Sequence, residues 1–61
     1  MIFTAKEKRE AIEREIAMRK RVYPRWVAAG RMTPAKAQHE TEVMEEIAAD
    51  LRRVEEKERL I

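Results

Sequence analysis

Neither cysteine nor serine occurs anywhere in this chain, and glycine occurs once. The first absence rules out a disulfide framework and a thiolate zinc site. The two together remove the commonest side-chain nucleophiles, so no catalytic residue is expected. Long apolar runs are also missing. None approaches the ~20 residues that span a bilayer, and the N-terminus has no signal-peptide core, so a cytoplasmic protein with no membrane partner is expected. The single histidine, His39, has Glu42 as its only ligand-type neighbour at helical spacing, too little for a metal site, and no cofactor is expected.

What is present is charge on helical repeats. Of the 61 residues, 43% are charged and 44% apolar, the composition of long surface helices or a coiled coil. The net charge of +2 conceals an asymmetry: residues 1–32 hold nine Lys/Arg and four Glu, residues 33–61 five Lys/Arg and eight Asp/Glu. Oppositely charged halves favour antiparallel packing with each other or with a partner, and argue against one continuous nucleic-acid-binding face.

The organising stretch is Val27-Ala28-Ala29-Gly30-Arg31-Met32-Thr33-Pro34. Gly30 stands where a left-handed residue closes one helix. Thr33 is placed to cap the next, with Pro34 at its first position, where a missing N–H costs nothing. Thr4 and Glu7 form a T-x-x-E capping box at the other end of the first segment. These signals predict one all-α domain over residues 1–61, an antiparallel helical hairpin. Helix 1 runs over about 5–29, the turn over 30–33 and helix 2 over about 34–58. Pro24 lacks the amide that would bond the Lys20 carbonyl, so helix 1 is expected to kink or break there.

The apolar stripes set the expected packing. In helix 1, Ile12, Ile16, Arg19, Tyr23 and Trp26 recur at spacings of four and three, widened by Ala11, Met18 and Val22. In helix 2, Ala37, Glu40, Met44, Ile47, Leu51, Val54, Glu58 and Ile61 keep a heptad alternation, flanked by Val43 and Ala48. Both stripes contain doublets, Val22-Tyr23, Trp26-Val27, Val43-Met44 and Ile47-Ala48, and are wider than one helix contact requires. A lone hairpin of this size buries too little surface to offset the entropy of ordering it. A homodimer forming a four-helix bundle is therefore expected, with Ile12, Ile16, Val22, Met44, Ile47, Leu51 and Val54 as core and dimer residues. So thin a bundle is expected to enclose no pocket.

The distinctive surface feature is the basic, aromatic segment Arg19-Lys20-Arg21-Val22-Tyr23-Pro24-Arg25-Trp26, with Arg31 and Met32 beyond it. Arg, Tyr and Trp are the residue types enriched at protein-binding hot spots. Arg21, Tyr23, Arg25, Trp26, Arg31 and Met32 are thus the candidate partner-binding residues. Tyr23 and Trp26 double as core plugs, Trp26 by its heptad position. Interleaved basic and aromatic residues also suit single-stranded nucleic acid, but no nucleic-acid-binding motif is present and helix 2 is acidic.

Along residues 19–33, and at Met44-x-x-Ile47-Ala48-x-Asp50, the sequence resembles a group of small proteins from the early regions of temperate phages and prophages, most without assigned function. The resemblance covers residues 4–51. Its core, V-Y-P-x-x-V-x-x-G-x-M-T, is fairly specific for the group and carries no evident chemistry. In size and hairpin form the chain is similar to phage anti-quorum-sensing proteins, dimeric helical hairpins that bind a host LuxR-type regulator and a pilus-assembly ATPase. No functional residue is carried over from them. The resemblance implies a non-enzymatic phage protein, acting in the bacterial host cell, that masks a host protein such as a LuxR-type transcription regulator. A nucleic-acid accessory protein and a structural oligomerisation module are the alternatives.

Overall fold

A computed structural model describes residues 2–60. It contains two α-helices, α1 (Ala5–Ala28) and α2 (Pro34–Arg59), packed against each other as an antiparallel hairpin measuring 48 × 16 × 16 Å. Ile61, the last residue of the expected heptad series, lies outside the described residues.

The helix ends form as the local chemistry dictates. The Glu7 amide donates to Thr4 Oγ1 and the Thr4 amide donates to Glu7 Oε1, both at 3.1 Å, which completes the capping box. At the other end of α1 the Arg31 amide reaches back to the Trp26 carbonyl at 2.9 Å, and the Gly30 amide to the Val27 carbonyl at 3.1 Å. This is a Schellman closure, with Gly30 at φ 74°, the only positive φ among the described residues. Thr33 Oγ1 then accepts from the Lys36 amide at 3.1 Å, and Pro34 occupies the first helical position of α2.

Pro24 does not break α1; the helix runs continuously through it to Ala28. Two features hold the turns on either side. The Ala29 amide bonds the Arg25 carbonyl at 3.0 Å and, with the Schellman bonds, secures the last turn. Immediately before the proline, Tyr23 is 4% exposed and pins that turn against α2. The proline withholds one hydrogen bond, from the Lys20 carbonyl, at a place where tertiary packing replaces the lost stabilisation.

The seam between the helices differs from the expected heptad register. It takes Ile12, Ile16, Tyr23 and Val27 from α1 and Ala37, Thr41, Met44, Ala48 and Leu51 from α2, all buried or half-buried. Ile16, Met44 and Ala48 form the core, with Ile12 packed against them. The α2 register 37-41-44-48-51-55 shares only Ala37, Met44 and Leu51 with the expected series. Ile47 (43% exposed) and Val54 (40% exposed) therefore lie outside the hairpin core, as does Trp26 (41% exposed). Small side chains explain the choice. Ala48 and Ala37 leave room for the bulky Ile16 and Tyr23 of α1, whereas Ile47 at the same place would hold the helices apart.

Candidate interaction surfaces

Each apolar doublet divides between two surfaces. Its second member, Tyr23, Val27, Met44 or Ala48, enters the seam. Its first, Val22, Trp26, Val43 or Ile47, stays half-buried or exposed. At about 100° per residue the first members, together with Ala11, Met18 and Val54, lie roughly a quarter turn from the seam on their own helix. Because α1 and α2 are antiparallel, the two quarter turns lead to the same flank of the hairpin. One side of the rod therefore carries an apolar strip, interrupted by Glu15, Glu40 and Asp50: Trp26, Val22 and Val43 near the turn, Met18 and Ile47 at mid-length, Ala11 and Val54 toward the open end.

The opposite flank is closed by charge. Lys20 pairs with Glu45 at 2.8 Å, and Glu13 pairs with Arg52 across the helices. Nearer the seam, Arg9 grips both oxygens of Glu55 through Nε and Nη2 while its Nη1 holds Glu13 at 2.7 Å. The Arg52 guanidinium holds the Glu13 carboxyl below the usual carboxylate range, and Arg9 does the same for Glu55. Such partly exposed pairs contribute little stability each.

The turn end is the third surface. Arg21, Arg25 and Arg31 are exposed and make no ion pair among the described residues. Residues 19–42 carry six Lys/Arg against two Glu, and the remainder eight Lys/Arg against ten Asp/Glu, so the rod is electrostatically polar along its length. The Tyr23 and Trp26 rings lie 5.8 Å apart at 41°. The Tyr23 hydroxyl accepts from Arg19 Nη1 at 2.8 Å; Arg19 is also held at 2.9 Å by Glu15. These bonds raise the Arg19 pKa above its ordinary value, the tyrosine hydroxyl contributing most. Beside the turn, on the ion-paired flank, Tyr23, Pro24, Val27, Ala28, Pro34 and Ala37 line an open apolar groove of about 580 Å³.

The structure therefore separates the six candidate partner-binding residues. Arg21, Arg25, Arg31 and Trp26 are exposed, Met32 is half-buried, and Tyr23 is a core residue that supports Trp26 from behind. Among the described residues no group of three or more His, Asp or Glu side chains is placed to hold a metal ion, and no helix is long and apolar enough to cross a membrane. Sequence reasoning missed the shared flank of Met18, Val43 and Ile47; the doublets were its signal, because only one member of each can face a single neighbour.

Comparison of the chain with protein-family profiles, curated proteins and solved structures finds no match.

Proposed function

We propose that this chain is a non-enzymatic binding protein, a dimeric helical hairpin whose basic turn end occupies the surface of another protein and masks it. The observation that carries this reading is that Arg21, Arg25 and Arg31, exposed and without an ion pair among the described residues, all lie in the turn-ward half of the rod. Arginine is among the side chains that contribute most at protein interfaces, and the Schellman closure fixes the end of the helix that carries Arg21 and Arg25. The apolar flank supports the dimer, since one strip on each protomer suffices for a four-helix bundle. The resemblance to phage hairpins makes a bacterial LuxR-type transcription regulator the first partner to test.

The test is capture of the purified regulator, and in parallel of proteins from a bacterial lysate, by the wild-type chain and by the Arg21→Ala/Arg25→Ala double variant. Capture by the wild type and its loss in the double variant, with helix content unchanged by circular dichroism, is expected. Equal capture by both removes the turn end from the interface. Tight binding of a labelled single-stranded oligonucleotide that weakens by orders of magnitude between 50 and 200 mM salt would replace the reading with nucleic-acid binding.

A further inference from the structure

The apolar flank has an occupant that the molecule itself specifies. We infer that a second copy of this chain lies on it antiparallel, turn end over open end, about a two-fold axis that crosses the rods at the level of Met18 and Ile47. This deepens the dimeric reading above, on which it rests, by fixing which residues meet.

Area is the first consideration. A flank of a rod 48 Å long and 16 Å wide is about 770 Å², close to the ~800 Å² per partner of a standard stable interface. The contact must therefore use nearly the whole flank, and the copies must lie along one another. Two orientations do so. In the parallel one, α1 of each copy faces α2 of the other and turn meets turn. In the antiparallel one, α1 faces α1, α2 faces α2, and each turn end meets an open end.

Charge separates them. The parallel arrangement would set the net-basic α1 over the net-acidic α2 of its neighbour, which is attractive. Much of that attraction is already satisfied within the hairpin, where Arg9, Glu13, Lys20, Glu45, Arg52 and Glu55 are paired across the helices. The turn-end arginines remain unpaired. Parallel association would gather six of them at one end of the bundle. Antiparallel association divides them between the ends and sets each turn half, with its surplus of cations, beside an open half with its surplus of carboxylates. The ends of a 48 Å rod are several screening lengths (~8 Å at physiological salt) apart, so each end must be balanced locally.

Side-chain placement agrees. Glu15 and Asp50 interrupt the apolar strip at the same level, between Met18/Ile47 and Ala11/Val54. Glu15 and Asp50 are paired within their own helices with Arg19 and Arg53. Parallel association would still stack that level on itself and crowd four carboxylates and their arginines into one contact. Antiparallel association moves it opposite Val22 and Val43. The largest side chain of the strip, Trp26, then lies over the smallest, Ala11 of the other copy, which fills the space left by the alanine methyl. At the axis Met18 meets Met18 and Ile47 meets Ile47.

Because the chain has no cysteine, every disulfide in a variant reports only the thiols introduced. Sedimentation first establishes the mass, and mild oxidation then reports proximity. Ile47→Cys is expected to cross-link to itself, and Ala11→Cys mixed with Trp26→Cys is expected to give the hetero-linked dimer. Ala11→Cys mixed with Val54→Cys should give none. If that last mixture cross-links and Ile47→Cys does not, the copies are parallel and the inference is wrong although the dimer stands. A folded monomer at high micromolar concentration overturns the inference and the dimeric reading together. Ala11 and Val54 are exposed in the hairpin, so these variants keep the fold and the parallel outcome remains readable if Trp26→Cys does not.

Discussion

The two flanks of the hairpin are built from the same two helices and differ in what closes them. One is laced by Lys20–Glu45 and Glu13–Arg52; the other presents Met18, Trp26, Val43, Ile47 and Val54. The ion-paired flank is closed by pairs that cross between the helices, and leaves an apolar groove open beside the turn. The apolar flank leaves five large side chains at least 40% exposed, an arrangement that contributes no stability until something covers them. Ion pairs that cross between the helices gather on one flank, and the large exposed apolar side chains gather on the other.

The comparison is broken most severely from beneath. Ile16→Ala removes the α1 half of the core that both flanks rest on, and is expected to cost ~2–4 kcal/mol. Thermal melts followed by circular dichroism should show the loss at every protein concentration. Ile47→Glu attacks one flank only. It is expected to weaken self-association at least a hundredfold (~2.7 kcal/mol) by placing a charge in an apolar contact, read by sedimentation as a shift to monomer. Equal dimer content in Ile47→Glu and wild type would mean that the apolar strip is not the seam.

Gly30→Ala leaves both flanks untouched and tests the turn that sets them. A Cβ there meets nothing within 4 Å, so the expected loss, about 1 kcal/mol, comes from the left-handed φ alone. A larger loss would show that the turn sets the helix register as well as closing α1. The smallest effect belongs to the charged flank. Glu13 and Glu55 are held below the usual carboxylate range by Arg52 and Arg9, so between the folded and the ordinary values the unfolded chain binds more protons. Their contribution is therefore complete above about pH 5 and fades as the pH falls through the depressed folded values. The melting temperature should be flat at neutral pH and decline in acid, and Glu13→Gln with Glu55→Gln should flatten that decline. An unchanged acid limb would leave these pairs no part in stability.

The turn and the helix ends were legible because each rests on one or two residues with a single favourable role: Gly30 for the positive φ, Thr33 with Pro34 for the start of α2, Thr4 with Glu7 for the start of α1. The register of the seam was not. Ala37-Glu40-Met44-Ile47 and Ala37-Thr41-Met44-Ala48 both alternate by three and four, and periodicity weighs them alike. What decides is the volume available opposite Ile16 and Tyr23, a property of the other helix. Pro24 leaves α1 unbroken for a related reason: its local cost is real, while the burial of Tyr23 that offsets it arises only once α2 is in place. Of the candidate site, the arginines could be read directly from the basic segment. That Tyr23 would be inside and Trp26 at the surface depended on the same unresolved register.

Trp26 is the only indole in the chain, and it sits at the margin of the strip that association would cover. With Tyr23 only 5.8 Å away to pass on its excitation, the native protein carries its own optical gauge. Dilution of an unlabelled sample should redden its emission as the indole meets water, and crowding copies together should turn it blue.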